Sequence, residues 1–172
     1  MSFIDVSANW TPVNGTNYKN SIQSVVTLAN SGVTIGTLQC LFNSQLNTNG
    51  NYLAASKFDV SSNITLTVDT SNGGGLFSSF IKDGSGTLQL NIAGSSFACD
   101  ISHNNGLINF NTYSDCIYYS KLSGVGIINK NGSTSSGLFK KTFFIFSAMK
   151  NIQKVPIQGY LHRYIYYKII NN

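Results

Sequence analysis

The sequence has few charged residues and an unusual choice among them. Charged residues make up only 10% of its 172 positions, there is no glutamate, and Arg163 is the one arginine. Because Glu, Lys, Arg and Ala stabilise exposed helices, their scarcity argues against a helical protein. Polar character comes instead from Asn, Ser, Thr and Gly, beside many β-branched and aromatic residues. This composition favours strands and turns, so we predict an all-β protein with little helix.

The sequence motifs of several common chemistries are also missing. It contains no phosphate-binding loop, dinucleotide motif, nucleophile elbow or zinc-protease motif. Cys40, Cys99 and Cys116 lack metal-ligand spacing, which leaves buried thiols or a Cys99–Cys116 bridge as alternatives. Asp100–His103 offers an acid and a base but is typical of a strand entering a turn, and Asp69–Gly73 lacks the spacing of a calcium loop. We therefore predict a non-enzymatic protein with no cofactor and no metal.

The chain shows no sequence signal for export or membrane insertion. Met1–Asp5 lacks a basic region and contains an acid before any apolar run, and no apolar run approaches the roughly 20 residues that span a bilayer. We predict synthesis in a cytosol without a signal peptide and no transmembrane segment. Two similar segments, Gly36–Cys40 and Gly86–Leu90, are interpreted as coincidence. The whole chain, 1–172, is predicted to form a single domain.

Apolar and polar residues alternate in many short segments. Ile64–Val68 and Leu88–Ile92 are clear examples. Asn-Gly and Asp-Gly pairs, such as Asn49-Gly50 and Asp83-Gly84, separate such segments and favour tight hairpin turns. Short strands joined by such turns predict an antiparallel β-sandwich or jelly-roll-like barrel of about 8–10 strands.

Charge is distributed unevenly along the chain. Residues 1–115 contain three lysines and six aspartates, whereas residues 116–172 contain eight basic residues and no acid. Three explanations remain open: contacts between copies of the chain, binding to an anionic partner, or strands that interleave and leave no patch. The longest basic run is Lys140-Lys141. Sequence-specific binding of nucleic acid is not expected with a single arginine.

The last strand-like segment, 159–170, has one amphipathic face. Alternation places on that face Tyr160, His162, Tyr164, Tyr166 and Lys168. Such a face either covers an edge of the core or forms a contact surface, because tyrosine rings bury apolar area while their hydroxyls stay in water. Together with Lys140 and Lys141, these residues form the predicted interface.

We interpret these features first as a structural protein of a virus or phage particle, of capsid, decoration or tail type. It would act by self-assembly as a homo-oligomer, or through contacts with other particle proteins, and reside in the virion. One alternative is a lectin-like carbohydrate-binding module with sugars stacked on Trp10 or Tyr164. Another is a membrane-active β-sandwich toxin that contacts an anionic lipid surface. A cytosolic or non-classically secreted protein is the alternative location.

Overall fold

The described part of the chain consists of short β-strands joined by tight corners. A computed structural model describes residues 2–93, 96–112, 117–118 and 121–132, and no helix occurs among them. The strands are β1 (Ile4–Asp5), β2 (Asn9–Trp10), β3 (Tyr18–Asn20), β4 (Val25–Leu28), β5 (Val33–Cys40), β6 (Ser44–Asn47), β7 (Tyr52–Val60), β8 (Thr65–Asp69), β9 (Gly75–Leu76), β10 (Phe80–Asp83), β11 (Thr87–Ile92), β12 (Ser96–Phe97), β13 (Ile101–His103), β14 (Leu107–Thr112), β15 (Ile117–Tyr118), β16 (Leu122–Gly124) and β17 (Ile127–Gly132).

Successive strands alternate between two sheets. Sheet A has the order β1-β3-β5-β7-β10-β13-β16, with β9 also paired to β7. Sheet B has the order β17-β14-β11-β8-β6-β4-β2, and β12 and β15 form a small third sheet. The pairs are parallel throughout, for example β5 with β7 and β11 with β14. The chain therefore never folds back on itself as a hairpin in this region.

The register of the pairs gives the length of one coil. In sheet A, Leu38 pairs with Phe58, and Phe58 pairs with Lys82. In sheet B, Leu46 pairs with Val68. Partners lie between 20 and 24 residues apart from β3 and β4 onward, and 14 or 18 residues apart in the shorter first coil, so each coil stacks on the preceding one. The architecture is a parallel β-solenoid of about 5 turns.

The predicted antiparallel β-sandwich or jelly-roll barrel is therefore wrong, although the all-β content holds for the described residues. Alternation shows that a strand has one buried face, but it does not identify the pairing partner. The glycine turns close corners between sheets instead of hairpins: the Gly50 N–H donates to the Gly73 carbonyl of the next coil at 3.2 Å. Sequence alternation also misses the longest strand, Tyr52–Val60, because Leu53, Ala54 and Ala55 are all buried in succession.

The hydrophobic core lies between the two sheets and is built of stacked columns. Parallel strands lie about 4.8 Å apart, so an inward residue packs on its counterpart in each neighbouring coil. The inward column of sheet B is apolar, and its residues are Val26, Leu46, Val68, Leu90 and Phe110. The inward column of sheet A begins with Tyr18, Leu38 and Phe58 and continues with Lys82 and His103.

Candidate functional site

An exposed apolar patch lies where the chain turns from sheet A into sheet B. We call Ile22, Val25, Leu41 and Phe42 the apolar corner. Their exposed fractions are 70%, 48%, 42% and 42%. Ile22, Leu41 and Phe42 lie in two turns, and Val25 begins β4 just after the first of these turns. The turns stack directly, because the Leu41 N–H donates to the Asn20 carbonyl and the Gln45 N–H to the Ser24 carbonyl, each at 2.8 Å. Side chains from two coils therefore combine into one patch.

The later coils do not continue the patch. The corresponding turns carry polar side chains at Ser62, Asn63, Asn104 and Asn105, and Val125 is exposed alone in the last described coil. Across the described residues, seven of the nine exposed large apolar side chains lie at or before position 52. The apolar surface is thus concentrated at the first coils, next to β1 and β2, which pair on one side only within the described chain.

A second distinctive surface is the outer side of sheet B. Two ladders of outward side chains, which we call the amide face, run in register across the coils. One ladder contains Gln45, Thr67, Gln89, Asn109 and Asn129. The other contains Thr27, Asn47, Asp69, Asn91 and Asn111. Asp69 is the only charged member, whereas the outer side of sheet A carries Asp5, Lys19, Lys57, Asp59 and Asp83.

Hydrogen bonds within the amide face hold its side chains in place. The Gln45 Nε2 donates to Asn47 Oδ1 at 2.6 Å and to Asp69 Oδ2 at 3.0 Å. Asn91 Oδ1 accepts from Asn111 Nδ2 at 2.9 Å and from Gln89 Nε2 at 3.2 Å. These lateral bonds fix one end of five of the seven amides, so that part of the ladders is ordered before any ligand arrives. The five are Gln45, Asn47, Gln89, Asn91 and Asn111.

The interior contains a lysine ammonium group held by backbone oxygens. Lys82 is fully buried, and its Nζ donates to the carbonyls of Asp83 and Gly84, both at 2.8 Å, and of Asn105 at 3.1 Å. All three N–H bonds of the ammonium are thereby used. Burial lowers the pKa of Lys82 to about 8, although Asp83 and Asp59 oppose the shift. The ammonium joins the corners of two adjacent coils and has a structural role.

His103 lies directly beyond Lys82 in the same inward column. It is fully buried, and its Nε2 lies 3.0 Å from the Asn105 carbonyl, while Nδ1 has no partner. Burial, together with the charge of Lys82, lowers the pKa of His103 to about 4. The ring is therefore neutral near pH 7. A Cβ added at Gly126 would overlap the imidazole, so the coil above closes tightly over it.

The predicted interface residues all lie outside the described residues: Lys140, Lys141, Tyr160, His162, Tyr164, Tyr166 and Lys168. The same holds for Cys116 of the proposed bridge and for Tyr164 as a sugar platform. Trp10 as a sugar platform is wrong, because its ring is 2% exposed and packs edge-on against Tyr18 at 4.9 Å. The ring belongs to the hydrophobic core of the first coil.

The acid and base of Asp100–His103 do not meet. Asp100 Oδ1 accepts from the Lys121 N–H at 2.7 Å, whereas His103 faces the interior. In the Asp69–Gly73 segment, which lacks the spacing of a calcium loop, Asp69 Oδ1 accepts a hydrogen bond from the Ser71 N–H at 2.8 Å. No group of three or more His, Cys, Asp or Glu side chains is placed to hold a metal ion in the region that the structure covers.

Comparisons with known proteins do not assign the chain to a family. No family model, no curated protein and no solved structure matches it. The described residues contain no helix that is long and apolar enough to cross a membrane. The function must therefore be argued from the surfaces of this chain alone.

Proposed function

We propose that the protein is a non-enzymatic assembly protein that associates with further copies of itself through the apolar corner. The observation that carries this proposal is the stacking of Ile22, Val25, Leu41 and Phe42 into one exposed patch. Contiguous exposed apolar surface of this kind is typical of protein contacts, whereas single exposed apolar residues are not informative.

The position of the patch supports contact with another copy. β1 and β2 leave one edge of each sheet without a strand partner among the described residues. A solenoid commonly needs a polar cap at its ends to remain monomeric. The first coils instead carry exposed Ile4 and Val13 in addition to the apolar corner. Association at this end would cover both the apolar side chains and the sheet edges.

The expected interface is modest in strength. Four partly exposed side chains supply only a few hundred Å² of apolar surface, below the roughly 800 Å² per partner of a standard stable interface. Association should therefore depend on protein concentration. The location in a virus or phage particle stays a prediction, since no observation on the described surfaces is specific to it.

Analytical ultracentrifugation over a wide concentration range tests the proposal. We expect the wild-type protein to form oligomers as concentration rises, and a Leu41→Ser/Phe42→Ser variant to remain monomeric. Val125→Ser is the control, because Val125 lies in a late turn and is more exposed than Leu41 or Phe42, but has no apolar neighbours of this kind in the described structure. Wild-type protein that is monomeric throughout, or a loss of association in the control as large as in the corner variant, would refute the proposal.

A further inference from the structure

We infer that the amide face is a second binding site, which adjoins the apolar corner where Val25 pairs with Gln45, and that its ligand is a neutral polysaccharide chain. The inference does not depend on the proposed assembly function. It starts from the hydrogen-bonding groups that remain available after the lateral bonds within the face are made.

The face offers both donors and acceptors. The Oδ1 atoms of Asn109 and Asn129 are shielded from solvent and have no partner, so the exposed end of each amide is its Nδ2 donor. The lateral bonds occupy the oxygen of Asn91 and the nitrogens of Gln45 and Gln89. They leave the nitrogen of Asn91 and the Oε1 atoms of both glutamines available. Donors and acceptors therefore occur together on the same face.

A ligand hydroxyl suits such a surface because it can donate and accept at the same time. Neighbouring coils repeat at about 4.8 Å, and residues on one face of a strand repeat at about 6.6 Å, so the groups form a regular grid. An extended chain of sugar units presents hydroxyls repeatedly along its length and can bond to several coils. Since the lateral hydrogen bonds already order five of the seven amides, little side-chain entropy is lost there on binding.

Charge and polarity favour this ligand over other occupants. A single carboxylate, Asp69, is the only charge in the two ladders, so neither a polyanion nor a polycation is attracted. Five stacked coils and a strand width of four to six residues give a face of roughly 300–500 Å². The ladders contain only Thr, Asn, Gln and Asp side chains, so the face lacks the apolar centre that contacts between protein copies use.

Co-sedimentation with insoluble cellulose, chitin, xylan and mannan, followed by affinity electrophoresis in their soluble forms, tests this inference. We expect the protein to be retained by at least one of these polymers, with salt having little effect because no charges take part. A Gln89→Lys/Asn109→Lys variant should weaken retention at least tenfold. The matched control is Gln39→Lys/Ser102→Lys, which adds the same charge to outward positions of sheet A.

The outcomes separate this inference from the assembly proposal. Retention that is lost in the sheet B variant and kept in both the sheet A variant and the Leu41→Ser/Phe42→Ser variant supports the inference. Folded protein that binds none of the polymers would overturn it, and so would equal losses in the sheet A and sheet B variants. Circular dichroism of each variant establishes that it is folded before binding is measured.

Discussion

Acid should destabilise this protein through one buried side chain, His103. Its pKa is about 4 in the fold and 6.5 in an unfolded chain. Between these values the unfolded state binds a proton that the folded state does not bind. The contribution of the neutral ring to the free energy of unfolding is therefore fully present above about pH 6.5 and is lost as the pH falls towards 4. Lowering the pH from about 7.5 to about 5 should cost about 2 kcal/mol from this group alone.

Urea unfolding at the two pH values measures this loss. We expect His103→Gln to show a smaller decrease in the free energy of unfolding than the wild type, by about 2 kcal/mol, because glutamine does not titrate. Each protein is compared with itself, so any cost of the substitution at neutral pH cancels. His162→Gln is the control for the second histidine and should retain the full decrease.

The magnitude depends on the complete enclosure of the ring. Protonation would put a second positive charge next to Lys82 and would require a partner for Nδ1, which has none. If wild type and His103→Gln lose equal stability on acidification, His103 is not buried as a neutral ring. The assignment of this column to the interior would then be wrong.

Three further predictions concern stability and assembly. Lys82→Met leaves three carbonyls without the ammonium and should lower the free energy of unfolding by about 1–3 kcal/mol, measured by urea unfolding. The control Lys57→Met removes only a partly exposed ion pair and should cost less than about 1 kcal/mol in the same experiment. Gly126→Ala should lower the free energy of unfolding by about 1–3 kcal/mol, because the added methyl group overpacks against the His103 ring. Much of that loss should disappear when His103 is replaced by serine, and a double-mutant cycle measures this coupling. Charge reversal at Lys140–Lys141 should weaken assembly if the basic segment faces an acidic part of another copy, and an unchanged oligomer size at low salt would contradict that role.

The sequence predicts the positions of many strands but not their pairing. Ile64–Val68 and Leu88–Ile92 fall on observed strands β8 and β11. Their partners cannot be derived from alternation, because an antiparallel hairpin and a parallel coil bury the same face of each strand. The missing information is the spacing between partners, which is 20 to 24 residues after the first coil. Equivalent positions in successive coils share side-chain size and polarity and not residue identity. The similar segments Gly36–Cys40 and Gly86–Leu90 illustrate this, since they lie in different sheets.

The candidate surfaces depend on that missing pairing. Ile22 and Phe42 are 20 positions apart in the sequence and become neighbours only when the coils stack. The buried Lys82 is missed for a different reason. A lysine is rarely found inside a protein, so its residue type did not mark it as buried. Continuing the alternation from Phe80 through one more residue would have placed it in the interior.

The low charge of the sequence follows from the fold and would have been the best clue to it. In a parallel in-register solenoid each outward side chain lies about 4.8 Å from its counterpart in the next coil, so a repeated charge repels itself along the whole ladder. Asp59 and Asp83 form such a like-charged pair here, and Lys57 lies 3.8 Å from Asp83. Amides and hydroxyls stack without this cost because they both donate and accept. Stacking of coils therefore explains why the sequence is rich in Asn, Thr and Ser. It also explains why the two ladders of sheet B contain a single carboxylate.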